Sequence, residues 1–229
     1  MDWLYNIREL ANLFFVGAVD FFEGAGKSEP NESYSEKFDL VLWVDEILNA
    51  LNINKTNITG ISYGGYMTLA YAAKNPDRVN KIVPMAFFLP EKDLKTILLI
   101  SRSLITCLPA ILYPTEENAM KFLKKITGPN FDISSLNKEF FKHWFYMLKH
   151  SRIKKQKEVM RFDRQAISVI RGKALFLIGD CDILAYHPSV IKTYDKYGLK
   201  YKVLKNVGHV VHMEQPDLIY KEIIDFLLK

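Results

Sequence analysis

Apolar positions along the chain follow two periods. Short β-prone or apolar runs at Asn57–Ile61, Lys81–Ala86, Ala174–Ile178 and Tyr201–Leu204 read as buried strands. Between them, apolar residues recur at helical spacing. From about Lys37 to Leu51 they are Phe38, Val41, Leu42, Val44, Ile47, Leu48 and Leu51, with Asp45 as a polar break. Further helices are expected at Tyr66–Lys74, ending before Pro76, at Pro188–Lys196 and at Pro216–Leu228. At the N-terminal side, a helix at about Trp3–Leu13 precedes an expected strand at Phe14–Val19. Strands alternating with helices predict an α/β fold, a mostly parallel sheet with helices on both faces.

From about Phe88 to Arg171 the pattern is helical without strands, and Pro90, Pro109, Pro114 and Gly128–Pro129 punctuate it. The expected organisation is a core of residues 1–87 and 172–229 with a helical cap, 88–171, inserted at the carboxyl edge of the sheet. The longest apolar stretch, Leu94 to Tyr113, is broken by Lys95, Arg102 and Pro109, so it is not expected to span a membrane. It reads as lid helices with an apolar inner face.

With 229 residues, 49% hydrophobic and 25% charged, the chain has the mix of an ordinary globular domain. Its net charge of +5 is uneven: residues 92–173 hold 17 basic and 7 acidic residues, +10, leaving −5 elsewhere. Clusters such as Lys124–Lys125 and Arg152, Lys154, Lys155 and Lys157 read as solvated helix faces, since no nucleic-acid motif accompanies them. Cys107 and Cys181 are the only cysteines and form no CxxC, which suggests neither a disulfide framework nor a zinc site. They fit a reduced, cytoplasmic setting. Met1 to Leu13 has no basic start followed by an apolar run, so it does not read as a signal peptide.

The chemistry centres on Thr56 to Gly65, T-N-I-T-G-I-S-Y-G-G, where Gly60, Ser62 and Gly64 form G-x-S-x-G between a strand and a helix. A turn that sharp lifts Ser62 above the sheet edge as a nucleophile. Gly60 and Gly64 are expected where side chains would clash between strand and helix. The helix N-terminus offers N–H groups to a developing oxyanion. A serine hydroxyl needs a base within reach and a third group to orient that base. Of the five histidines, His209 directly follows the last strand, on the elbow's edge of the sheet. His212 follows three residues on, His143 and His150 fall in the helical segment, and His187 begins a helix. For the acid, Asp182 follows the Ala174–Ile178 strand, with Asp180 its close rival. The chain order Ser62, Asp182, His209 is the one this hydrolase class uses.

These segments together resemble the α/β-hydrolase family, of the cofactor-free, capped esterase and lipase type. The resemblance rests on A-V-D at Ala18–Asp20, G-A-G-K-S at Gly24–Ser28, the elbow, N-P-D-R-V at Asn75–Val79, G-D-C-D at Gly179–Asp182 and G-H-V-V-H-M-E-Q-P at Gly208–Pro216. It implies a serine hydrolase acting on a small ester or acyl compound, with no cofactor and no metal. In it Asp182 is the acid, His209 the base with Glu214 and Pro216 as the tail of its motif, and the Tyr63 N–H an oxyanion donor. G-A-G-K-S also mimics the end of a phosphate-binding loop, but Phe21 stands where that loop needs a glycine.

The family fold begins with further strands, one of them ending in a His-Gly loop that supplies a second oxyanion donor. Neither precedes Phe14 here, so Met1 is expected to match an internal position of a longer relative. One donor fewer costs about 10²–10³ in turnover. An unfilled place in the sheet would leave strand edges open, with self-association through them expected. Two classes follow: an active carboxylic-ester hydrolase, or a degenerate homologue that at most binds a ligand.

Overall fold

The computed structural model describes residues 3–21, 39–91, 94–150 and 162–229. The loop with Gly24 and Gly26, the expected start of the helix at Lys37, and the Arg152–Lys157 cluster lie outside the described residues.

Four strands, β1 (Thr56–Ile61), β2 (Val79–Met85), β3 (Leu175–Gly179) and β4 (Lys200–Leu204), form one parallel sheet in the order β1-β2-β3-β4. Each parallel connection needs a crossover helix. They are α3 (Tyr63–Lys74) from β1 to β2 and α8 (Pro188–Tyr197) from β3 to β4. The β2–β3 connection carries α4 (Leu94–Leu112), α5 (Glu116–Ile126), α6 (Lys138–His150) and finally α7 (Arg164–Arg171). α1 (Ile7–Ala11) and α2 (Leu40–Ala50) precede the sheet, and α9 (Val211–Glu214) and α10 (Pro216–Leu227) close the chain.

Alternation along the strands sends successive side chains to opposite faces. Ile82, Phe176 and Ile178 join one core with Leu48 of α2, Leu69 and Tyr71 of α3, Ile167 and Ile170 of α7, and Tyr194 of α8. Val83, Met85 and Leu177 join the opposite core with Leu10 of α1 and Ile219 and Ile223 of α10. α7 is thus packed against the sheet's core helices, while α5 and α6 build a third cluster around Leu123, Ile126 and Phe140.

Two expectations are corrected. Residues 14–19 are not a strand: Phe15 is 81% exposed, and β1 has only β2 as a paired neighbour among the described residues. A β-prone run without a ladder partner leaves its N–H and C=O groups to water and does not register as a strand. The apolar side of α4 also faces outward instead of inward. Ile97, Leu98, Leu104 and Ile105 are about 60–70% exposed. Leu99 and Ala110 take the buried side. Among the described residues no helix is long and apolar enough to cross a membrane.

Candidate active site

β1 ends at Ile61 and α3 begins at Tyr63, so Ser62 alone makes the turn. Its backbone sits at φ 52°, ψ −115°, a left-handed conformation costing a non-glycine residue about 1–3 kcal/mol. Flanking hydrogen bonds hold it there. The Ser62 N–H donates to Met85 O at 2.9 Å, extending the β1–β2 ladder, and the Tyr66 N–H donates to Ser62 O at 3.1 Å. A Cβ at Gly60 would lie 2.2 Å from Gly64 O, and one at Gly65 would lie 2.9 Å from Phe87 Cβ. At Gly64 a Cβ meets nothing within 4 Å. The close approach therefore requires Gly60 and Gly65, and the expected steric role of Gly64 is corrected. Tyr63 places its N–H in the first turn of α3, where backbone donors point out of the helix end. Its ring stacks on Tyr66 at 5.5 Å.

Asp182 follows β3 and is 1% exposed. Leu184 and Ala185 N–H groups donate to its Oδ1 at 2.8 and 2.9 Å. His209 Nδ1 lies 3.0 Å from Oδ1 and 2.9 Å from Oδ2. The imidazole is buried with it. Asp180 points elsewhere, accepting the Asn206 N–H at 2.7 Å with Lys205 at 3.4 Å. Partial burial acts to raise its carboxyl, but the Asn206 N–H, the Cys181 thiol and Lys205 outweigh this and hold it below the usual range. Gly179 lets the two strand-end loops touch, since a Cβ there would lie 2.1 Å from Val207 O.

The His209 loop is tied down by the helical insertion. The His209 N–H donates to Ile126 O at 2.6 Å. Glu214 accepts the Gly208 N–H at 3.0 Å on each oxygen and the Gly128 N–H at 2.7 Å. Burial raises the Glu214 carboxyl above its ordinary range, against these N–H donors and with a further push from the Asp182 charge. The sequence marks Glu214 only as part of a motif; its tie to Gly128, 86 residues away, has no local signal.

Three of the other histidines have ring or cap partners of their own. His212 packs on Trp3 with ring centroids 6.1 Å apart, and His187 caps α8 through Ser189. His150 stacks on Tyr146 within α6, the helix that also carries His143. Of the three singled-out residues, the fold joins Asp182 and His209 directly. Among the described residues no hydrogen bond links Ser62 Oγ to the imidazole.

Residues 3–101 match the family model of the alpha/beta hydrolase fold. The carboxylesterase YbfK of Bacillus subtilis (strain 168) is 22% identical over an alignment 235 residues long, gaps included, that covers 98% of this chain and 75% of that protein. A crystal structure of the same carboxylesterase, also called CesB, superposes with a TM-score of 0.74 at 20% identity, covering 99% of this chain and 78% of that one. The meta-cleavage product hydrolase CumD of Pseudomonas fluorescens IP01 superposes with a TM-score of 0.77 at 21% identity, covering 99% and 84%. A shorter match is to the 2-hydroxymuconate semialdehyde hydrolase of Pseudomonas sp. (strain CF600), 34% identical over 87 residues, 37% of this chain and 30% of that protein. The chain has the α/β-hydrolase fold and resembles carboxylesterases.

Proposed function

We propose that this α/β-hydrolase-fold chain is a serine hydrolase cleaving small carboxylic esters through an acyl-enzyme. The buried His209–Asp182 pair, set on the sheet edge that carries the strained Ser62, is the observation that carries the reading. Its carboxylesterase relatives suggest the ester class.

In this mechanism Ser62 Oγ attacks the ester carbonyl carbon while His209 Nε2 takes the hydroxyl proton. Asp182, bonded to Nδ1, fixes the tautomer that leaves Nε2 free to accept. The carbonyl oxygen becomes an oxyanion facing the Tyr63 N–H and the N-terminal end of α3. Collapse expels the alkoxide, which His209 protonates. Water, deprotonated by the same imidazole, then cleaves the acyl-enzyme and restores Ser62. Within the 88–171 insertion, α5 and α6 serve as the cap over the acyl site in this reading, since Ile126 O accepts the His209 N–H and the Gly128 N–H donates to Glu214.

A fluorophosphonate probe tests the assignment. It should label the protein at Ser62, and Ser62→Ala should abolish labelling. Labelling that survives the substitution would overturn the nucleophile.

A degenerate, non-catalytic homologue is the competing reading, favoured by the missing Ser62–His209 hydrogen bond. Its mark would be an unlabelled protein without turnover of p-nitrophenyl butyrate. Labelling together with turnover excludes it.

A further inference from the structure

Helix α4 turns its apolar side to solvent. Leu94, Leu98, Ile105, Leu108 and Leu112 form a stripe at helical spacing, 43–69% exposed, and Ile97 and Leu104 widen it on one flank. The orientation is pinned by bonds from α4 to the segment that follows β3. Ser103 Oγ donates to Leu184 O at 2.8 Å, and Arg102 Nη2 donates to Tyr186 O at 3.1 Å. Leu99 and Ala110 are buried beside them. Rolling the helix to hide the leucines would break those bonds and expose its packed face. With 19 residues α4 is about 28 Å long, so the stripe runs across a broad face of the molecule. A contiguous apolar face of this extent marks an interaction surface.

The surrounding charge selects the occupant. α4 has no acidic residue, and its only charged residues are Lys95 and Arg102. Beside it, α5 lines a groove against Pro109 and Ala110 with Phe122, Lys121, Lys124 and Lys125. Lys124 and Lys125 are exposed. Across α4 and α5 together, the five basic residues Lys95, Arg102, Lys121, Lys124 and Lys125 outnumber the two acidic ones, Glu116 and Glu117, for a net +3. Two copies meeting through this face would bring like charges together, which disfavours self-pairing. An anionic bilayer surface instead accepts the apolar stripe between its acyl chains and the flanking cations among its headgroups. No described helix is long and apolar enough to cross a membrane, and a stripe exposed along the length of α4 suits contact in the plane of the interface.

We propose that α4 and the basic edge of α5 form a docking face for anionic lipid surfaces. It does not depend on the esterase reading, because it rests on residues outside the Ser62 cluster.

Flotation with vesicles made of equal parts phosphatidylcholine and phosphatidylglycerol tests it, against vesicles of phosphatidylcholine alone. The full chain should float with the anionic vesicles, and high salt should release most of it. The double substitution Leu98→Asp and Ile105→Asp, at exposed positions, should lower the bound fraction about tenfold or more. Lys124→Glu with Lys125→Glu, on a different helix, should do the same while leaving the circular dichroism spectrum unchanged. Three results would overturn the proposal: no flotation, equal binding to both vesicle types, or binding unaffected by both double variants. Sedimentation as a dimer that Leu98→Asp with Ile105→Asp makes monomeric would assign the face to a second copy and also overturn it.

Discussion

The Gly128 N–H donates to Glu214 Oε2 at 2.7 Å, and the same carboxylate accepts the Gly208 N–H next to His209. One side chain thus joins the turn after α5 to the loop holding the imidazole. Glycine is needed on both sides: a Cβ at Gly128 would lie 2.1 Å from Asn206 O, and one at Gly208 would lie 2.2 Å from Ile126 O. Glu214→Ala leaves two packed N–H groups without their acceptor. It should cost about 1–3 kcal/mol in urea unfolding. It should also lower ester turnover, because the His209 loop loses its brace.

The Glu214 carboxyl adds a pH signature. Burial raises its folded value above the unfolded one. The folded state therefore holds the proton more tightly, and stability from this group is present below the ordinary glutamate range. It is lost as pH rises through the raised value. Glu214→Gln removes that titration. The Tm of the wild type relative to the Gln variant should fall as pH climbs through that window. A constant difference across the window would contradict the assigned direction.

Asp182 and Asp180 are two residues apart but face different partners. Asp182 meets His209, whereas Asp180 meets Asn206 and Lys205. If Asp182 holds the imidazole tautomer, Asp182→Asn should lower turnover about 10⁴-fold. Asp180→Asn should leave turnover within about threefold and lower stability by about 1 kcal/mol through the weakened loop contact. A larger kinetic effect at Asp180 would move the acid to that position.

The sheet and its helices were legible because their apolar runs are buried by the elements they alternate with. Asn57–Ile61 and Ala174–Ile178 carry their own period and find partners on both faces. The meeting of Asp182 and His209 was legible because the loops after β3 and β4 leave parallel strands at one edge, the edge where Ser62 follows β1. Phe14–Val19 was misread because its composition favours a strand while strand formation depends on a neighbour that composition does not reveal. The facing of α4 was hidden for a related reason. Its apolar residues have clean helical spacing, but Ser103 and Arg102 fix which side meets the protein. Asp45 reads as a break in an apolar helix. In the fold it accepts the Tyr71 hydroxyl at 2.5 Å and the Asn75 amide at 3.1 Å, with Arg78 at 3.6 Å.

That contact yields a stability prediction. Tyr71 is fully buried, and burial together with Asp45 raises its hydroxyl far above the normal tyrosine range. The hydroxyl therefore stays protonated and donates. Asp45→Ala removes its acceptor and should destabilise the protein by about 1–3 kcal/mol in urea unfolding. The Tyr71→Phe, Asp45→Ala pair should cost less than the sum of the single changes, since each single change strands the other's polar group.

The elbow glycines separate steric need from motif membership. At Gly60 a methyl group would enter the van der Waals shell of Gly64 O and C, at 2.2 and 2.4 Å, both backbone atoms that cannot swing aside. Gly60→Ala should therefore force β1 and α3 apart, costing about 1–3 kcal/mol or more, as overpacked cores do. Because Ser62 is suspended between those two elements, its fluorophosphonate labelling rate should fall in the fraction that remains folded. Gly65→Ala meets Phe87 Cβ at 2.9 Å and Met85 O at 3.2 Å, so it should be damaging to a lesser degree. Gly64 lies within α3 and is open on its Cβ side, with no positive φ. Gly64→Ala exchanges a weak helix former for the strongest and should raise stability by up to about 1 kcal/mol. Ranking the three variants by chemical denaturation and by labelling rate checks the argument. Equal damage at Gly64 and Gly60 would mean that the position next to Tyr63 is reserved for substrate or its oxyanion, rather than for packing of the turn.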